Sequence, residues 1–229
     1  KMATYTKAEV AKTIDHAVLK PNMTDADVKA NAAMCRERGV GCLCVRPTDV
    51  ALAAKALADS ETVVAAVIGF PHGSNRSETK ALDARLAIED GARELDMVMN
   101  VGKFLSGDHV SVQADIEAVV AVAKPDGVPV KVILESCLLT PDQIAEACKL
   151  AEAGGADYVK TSTGFSTGGA TPEAIDVMIG TVGKTMLVKA SGGIRTWDDA
   201  VGYLDQGCAR LGVGSTEAVL DGGKADGDY

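Results

Sequence analysis

Aromatic side chains are scarce in this 229-residue chain, with three Phe, one Trp and four Tyr. Few stacking faces are therefore available for nucleic-acid bases. Basic charge is also short: 23 Lys and Arg stand against 32 Asp and Glu, a formal charge of −9 without any Lys/Arg cluster. The field of such a molecule repels a polyanion, so no nucleic-acid partner is expected. Long hydrophobic runs are missing as well. The longest uncharged apolar stretch, residues 62–70, falls far short of the roughly 20 residues a membrane helix needs. The N-terminal residues lack the apolar segment of a signal peptide. A soluble, cytoplasmic chain with no membrane partner is the expectation. Metal-ligand spacing is absent too, because His16, His72 and His109 form neither HxH nor HExxH and the six cysteines form no CxxC. The cysteines read as core filling, and neither metal nor cofactor is expected.

What the chain has is aliphatic bulk, with hydrophobic residues making up 47% of it. That suffices for one substantial core in a single domain. Short apolar runs of strand character cover residues 14–19, 41–46, 63–70, 95–100, 130–135, 157–162, 186–191 and 210–213. Between them lie segments with helix start signals. Thr140, Pro141 and Gln143 supply an N-cap, a first-turn proline and the third member of a capping box ahead of a Gly154-Gly155 stop. Thr171-Pro172 repeats the signal, and Thr24 with Asp27 and Thr196 with Asp199 resemble it. Eight alternating strand and helix units imply parallel strands and a (β/α)8 TIM barrel in residues 1–220, with a doubly wound open sheet as the alternative. Residues 221–229, rich in glycine and charge, read as a flexible tail.

In a barrel, function gathers at the C-terminal ends of the strands. Asp15, Arg46, His72, Asp96, Asn100, Lys131, Glu135, Lys160 and Lys189 all fall in or just after strand runs. The three lysines stand out, since 131 to 160 and 160 to 189 are both steps of 29 residues and place them at equivalent positions on successive strands. A lysine at its reference pKa is neutral in only about one molecule in a few thousand at pH 7. A second ammonium nearby and partial desolvation both favour the neutral amine. Such an amine attacks a carbonyl to form an iminium, which acidifies the neighbouring carbon and opens carbon–carbon bond chemistry without a metal.

Two glycine-rich turns follow the last two strands, Ser191-Gly192-Gly193-Ile194-Arg195 and Gly212-Val213-Gly214-Ser215-Thr216. Glycine lets an anion approach the backbone, and both turns open helices, so a phosphate site is expected there. The second turn does not extend to GxGxxG, because position 217 is Glu, which argues against a dinucleotide.

Taken together, Ile14-Asp15-His16, residues 67–73, Glu94-Leu95-Asp96-Met97-Val98-Met99-Asn100, Lys131-Val132-Ile133-Leu134-Glu135, Lys160-Thr161-Ser162-Thr163-Gly164 and Lys189-Ala190-Ser191-Gly192-Gly193 resemble the deoxyribose-phosphate aldolase family. The resemblance runs from about residue 13 to 215. It implies a metal-free Schiff-base aldolase that interconverts 2-deoxy-D-ribose 5-phosphate with D-glyceraldehyde 3-phosphate and acetaldehyde. By the same resemblance Lys160 forms the Schiff base, while Lys189 and Asp96 tune it and move protons through a bound water. Lys131 completes the polar network, Asp15 binds a substrate hydroxyl, and Thr163, Gly192, Gly193, Gly212, Gly214 and Ser215 bind substrate or its phosphate. Tyr229 offers a tail contact with the active site. Ala17, Arg46 and Gly214 depart from residues common in that family. The partners implied are a phosphorylated sugar and acetaldehyde, with a homo-oligomer left open. Another sugar-phosphate barrel enzyme, or a non-catalytic phosphate-binding barrel, remains the alternative reading of the same residues.

Overall fold

Side-chain alternation decides the architecture. In the computed structural model, which describes residues 4–223, eight parallel strands close into a barrel in sequence order. They are β1 (Ile14–Val18), β2 (Cys42–Val45), β3 (Val63–Ile68), β4 (Glu94–Val98), β5 (Val130–Ile133), β6 (Tyr158–Lys160), β7 (Leu187–Ser191) and β8 (Arg210–Val213). The helices are α1 (Lys7–Thr13), α2 (Asp25–Arg38), α3 (Val50–Ala56), α4 (Ser77–Glu89), α5 (Val101–Leu105), α6 (His109–Ala123), α7 (Pro141–Ala153), α8 (Pro172–Val182), α9 (Trp197–Asp205) and α10 (Thr216–Leu220). Pairing of β1 with β8 closes the ring and excludes the open sheet.

One face of every strand feeds the layer between barrel and helices. Ile14, Leu43, Val45, Val64, Leu95, Met97, Val132, Val159, Val188 and Leu211 are buried there against helix residues such as Val28, Ile116, Ile144 and Ile175. Burying each of these aliphatic side chains fully contributes about 1.5–3 kcal/mol. The alternate residues point into the barrel, and its two halves differ. Ala17, Cys42, Cys44, Ala65 and Val67 form an apolar inner cluster on the β1–β3 side. On the other side stand the charges of β4 to β8.

The expected helix starts are formed. Thr140 accepts from the Gln143 amide while Gln143 reaches back to the Thr140 amide, and Thr24 with Asp27 and Thr196 with Asp199 make the same reciprocal box. Thr171 caps α8. In α7 the buried Ile144, Ala147, Cys148 and Ala151 recur at helical spacing, and the chain stops at Gly154.

Several expectations are corrected. Strand readings run too far at the C-terminal ends: β3 stops at Ile68 because Gly69 turns to φ +63°, and β5 stops at Ile133 ahead of Glu135 at φ 57°. The cysteines are all unpaired thiols and five are buried core residues, but Cys137 is exposed on the short turn Ser136–Leu138. Asp221, assigned to the tail, ion-pairs with Arg38 at 2.5 Å and Lys7 at 3.4 Å, tying the end of α10 to α1 and α2. Tyr229 lies outside the described residues. Among those described, no helix is long and apolar enough to cross a membrane.

Candidate active site

Period-two alternation brings Asp15, Glu94, Asp96, Lys131, Lys160, Lys189 and Arg210 inside one barrel. Asp15, Asp96, Lys131, Lys160 and Lys189 are each 0–1% exposed. Charges withdrawn this far from water persist only when paired. Asp96 is the hub: its Oδ2 accepts from Lys160 Nζ at 2.9 Å and from Lys189 Nζ at 2.7 Å, and its Oδ1 accepts from Lys131 Nζ at 2.6 Å. Two ammonium groups meeting on one oxygen lie only a few ångströms apart.

Register refines the expected equivalence of the three lysines. Lys160 does stand directly beside Lys189 across β6 and β7. Lys131, however, stands beside Tyr158, and Lys160 beside Ile133, so Lys131 sits two residues deeper in the barrel. Equal sequence spacing conceals this, because neighbouring barrel strands are staggered by an amount that loop length also determines. From that depth Lys131 bridges Asp96, Glu94 at 2.6 Å and Asp15 at 3.3 Å, with its Nζ 5.9 Å from the Tyr158 ring centroid.

Asp15 is buried and committed to the same network. Its Oδ2 takes Lys189 at 2.5 Å, and its Oδ1 takes Arg210 at 2.5 Å. Arg210 and Glu94 are the members that sequence reasoning missed. The signal was present in the alternation: Glu94 precedes Asp96 by two residues, and Arg210 opens β8 on the inward phase.

Electrostatics follow from this pairing. Burial opposes ionisation of Asp96 and Asp15, but the adjoining lysines, joined at Asp15 by Arg210, outweigh it and hold both carboxyls below the usual carboxylate range. Burial likewise works against charge on Lys189, yet Asp15 and Asp96 push its pKa above the ordinary lysine value. Lys131 behaves the same way, with Asp15, Asp96 and Glu94 around it. Lys189 is therefore held as a cation at neutral pH beside Lys160. The apolar wall opposite carries neutral thiols, since burial and then Asp96 push Cys44 up to about 11.

Asp15, Cys42 and Glu94 converge closely enough to suggest a metal ligand set. The residues do not fit one: both carboxylates are already neutralised by Lys131 and Arg210, and burial raises the Cys42 thiol well above its ordinary value.

Above the lysines, the loops after β6 and β7 enclose a cavity of about 240 Å³ lined by Gly164, Ser166, Thr167, Gly192, Gly193 and Arg195 together with Gly168 and Gly169. Gly192 and Gly193 have φ of +83° and +77°, and a Cβ on Gly169 would strike the Gly192 carbonyl. Backbone thus approaches backbone in a way only glycine permits, leaving a polar hollow beside a guanidinium. Gly212 belongs to β8, while Gly214 and Ser215 sit half-buried in the turn before α10. Ser215 makes no side-chain cap to that helix. Thr163 faces away from the hollow in its bonding: its hydroxyl donates to Glu135 Oε2 at 2.6 Å and its amide to Oε1 at 3.1 Å.

Other strand-end polar residues serve the frame. Arg46 donates to the carbonyls of Lys20, Pro21 and Met23 and pairs with Asp49 at 2.5 Å. Asn100 caps α5, and His72 is exposed. His16 faces the helices, bonded to Asn31 Oδ1 at 2.6 Å and Thr216 Oγ1 at 2.8 Å, and burial brings its pKa down to about 4. The neutral ring donates from Nε2 to Asn31 and accepts from Thr216 at Nδ1, a fully satisfied structural role.

The arrangement is one of a buried amine, a neighbouring fixed cation, a shared carboxylate and an adjoining glycine-lined hollow. Comparisons with known proteins identify the family. The chain is 49% identical over 218 residues to a deoxyribose-phosphate aldolase of Streptococcus suis, covering 95% of this chain and 98% of that one. It is 47% identical over 223 residues to the deoxyribose-phosphate aldolase of Clostridium perfringens, covering 97% and 99%. Its fold superposes with a TM-score of 0.89 on the deoxyribose phosphate aldolase of Aeropyrum pernix, a structure described as tetrameric, at 32% identity and over 94% and 91% of the two chains. Residues 9–212 match the DeoC/LacD family aldolases, and the chain belongs to that family.

Proposed function

We propose that this protein cleaves 2-deoxy-D-ribose 5-phosphate reversibly into D-glyceraldehyde 3-phosphate and acetaldehyde through a Schiff base on Lys160. The observation that carries the reading is the shared contact of Lys160 and Lys189 with Asp96 Oδ2 at the inner end of a barrel mouth. In the synthetic direction the neutral Lys160 amine adds to the aldehyde carbonyl of acetaldehyde, giving a carbinolamine. Loss of water forms the iminium, whose positive charge makes the adjacent methyl acidic. Removal of that proton, with Asp96 and Lys189 relaying it through water, gives the enamine. The enamine carbon then attacks the aldehyde carbon of glyceraldehyde 3-phosphate, the new alkoxide takes a proton, and water releases the product from Lys160. The iminium itself is the electron sink, so this chemistry needs no metal.

The phosphate is assigned to the hollow built by Gly164, Gly192, Gly193 and Arg195, and Gly212, Gly214 and Ser215 of the next turn are proposed to join in holding it. Lys131 and Asp15 act here as partners of Lys189 and Asp96 rather than by touching substrate, because their polar atoms are committed to the ion-pair network. Thr163 shapes the loop over Glu135. A homo-oligomer in the cytoplasm completes the reading, and sedimentation measures the former.

Incubation with acetaldehyde followed by borohydride tests the central step. Reduction should fix an ethyl group on Lys160, seen by peptide mass spectrometry. Label on a different lysine, or on none, overturns the assignment.

A further inference from the structure

The ion-paired cluster inside the barrel holds more basic groups than carboxylates. Four cations, Lys131, Lys160, Lys189 and Arg210, share three carboxylates, Asp15, Glu94 and Asp96. Glu135, beyond the end of β5, stands outside this ion-paired cluster and spends its carboxylate on the Thr163 amide and hydroxyl. Burial raises the Cys42 and Cys44 thiols of β2 and the Tyr158 phenol of β6, and β3 contributes only Val63, Ala65 and Val67. His16 of β1 turns outward to Asn31 and Thr216. One excess cation thus remains when every lysine is protonated.

The ion pairs are unevenly shared among the four basic groups. Arg210 does not deprotonate. Lys131 touches three carboxylates and Lys189 two, whereas Lys160 touches Asp96 alone among the described residues. Arg210 creates the imbalance by holding Asp15 Oδ1 and Glu94 Oε1, each at 2.5 Å. Without it, three lysines would match three carboxylates and the cluster would carry no excess cation. The guanidinium can carry its charge so near the other three because its side chain is 18% exposed and opens onto a cavity of about 500 Å³ at the N-terminal end of the barrel, beside Gly41, Thr62 and Val63. Its charge is partly hydrated from below while its hydrogen bonds point upward.

We propose that Arg210, at the floor of the barrel, is a positioning residue whose charge keeps the amine of Lys160 available as the nucleophile. It touches no substrate, and it acts through Asp15 and Glu94. This rests on the Schiff-base reading of Lys160 given above. Net charge in the cluster, rather than the mere presence of a second lysine, then decides reactivity, and changes of opposite sign at the barrel floor must move reactivity in opposite directions.

The test is borohydride trapping of acetaldehyde on the full chain as a function of pH, with the site of label read by mass spectrometry. Arg210→Met should lower trapping near pH 7 by about tenfold and recover it when pH is raised by about one unit or more. Arg210→Lys, which retains the charge, should keep the wild-type pH dependence. Glu94→Gln removes a carboxylate and should shift trapping to lower pH. A structural role alone would weaken both Arg210→Met and Glu94→Gln without opposite shifts, and that result overturns the proposal. Should Arg210→Met fail to fold, the direction of the Glu94→Gln shift decides. Absence of label from Lys160 in the unsubstituted protein overturns the Schiff-base reading itself. Label on Lys160 with the same pH dependence in all variants overturns the role of Arg210 alone.

Discussion

At the scale of single residues, the proposed site divides labour among lysines of identical chemistry. Lys189 is held charged by Asp15 and Asp96, and Lys131 by those two and Glu94, so neither is a nucleophile at neutral pH. Lys189→Met removes a cation next to Lys160 and a member of the proposed proton relay together. Its kcat should fall by about 10²–10⁴, the range for loss of a positioned acid–base group, with little change in KM. Raising the pH should not restore it, in contrast to Arg210→Met, because a missing relay is not replaced by a neutral amine. Steady-state kinetics between pH 6 and 9 separate the two, and a near-normal kcat at any pH would contradict the relay.

At the scale of elements, the barrel is clamped from outside by one buried pair. Lys80 of α4 is fully buried and reaches Asp115 of α6 at 2.5 Å and the Val98 carbonyl at the end of β4 at 2.9 Å, while Ser77 holds the other Asp115 oxygen at 2.8 Å. The pair joins two helices to the strand that carries Asp96. Gly69 makes room for it, since a Cβ there would lie 2.8 Å from Lys80 Cε. Asp115→Leu leaves a buried ammonium without its carboxylate and should cost about 3–5 kcal/mol, read as a lower urea midpoint. Lys80→Met with Asp115→Leu should recover most of that loss, since an apolar pair replaces an ionic one. A double variant no more stable than Asp115→Leu would show that the cost lies in packing instead. Sequence alone does not reveal such a pair, because the partners are 35 residues apart and each sits in a helix whose other charges are solvated.

For the whole molecule, the same ion pairs define how stability varies with pH. Asp15 and Asp96 have folded pKa values below their unfolded ones, so their contribution is complete above the unfolded carboxylate value near 4 and is lost as pH falls below it. His16 adds to the acid side. Its folded pKa of about 4 lies under the unfolded value near 6.5, so the unfolded chain takes up that proton first and stability declines as pH falls from about 6.5 to 4. Lys131 and Lys189 have raised values, and their contribution is complete below the unfolded lysine value near 10.4 and is lost as pH rises past it. Thermal melts should therefore show a plateau from about pH 7 to 9.5, a shallow fall below 6.5 and a steep one below 4. A melting temperature that rises between pH 6.5 and 5 would refute the account of His16.

Alternating strand and helix, eight times over, was legible in the residues because short apolar runs and Thr-led capping boxes are local signals. So was the shared interior position of Lys160, Lys189 and Asp96, since a charged residue within a strand that must be covered on both faces announces itself. The strand ends were read less well, because the turn at Gly69 and the left-handed Glu135 follow from tertiary demands on loop direction. Closure of the barrel, the stagger that sinks Lys131 below Lys160, and the enlistment of Arg210 and Glu94 were decided only by the tertiary structure. They depend on the register between strands and on charges meeting across a shared interior, and pairing distances of that kind are properties of the closed ring rather than of any segment of the chain.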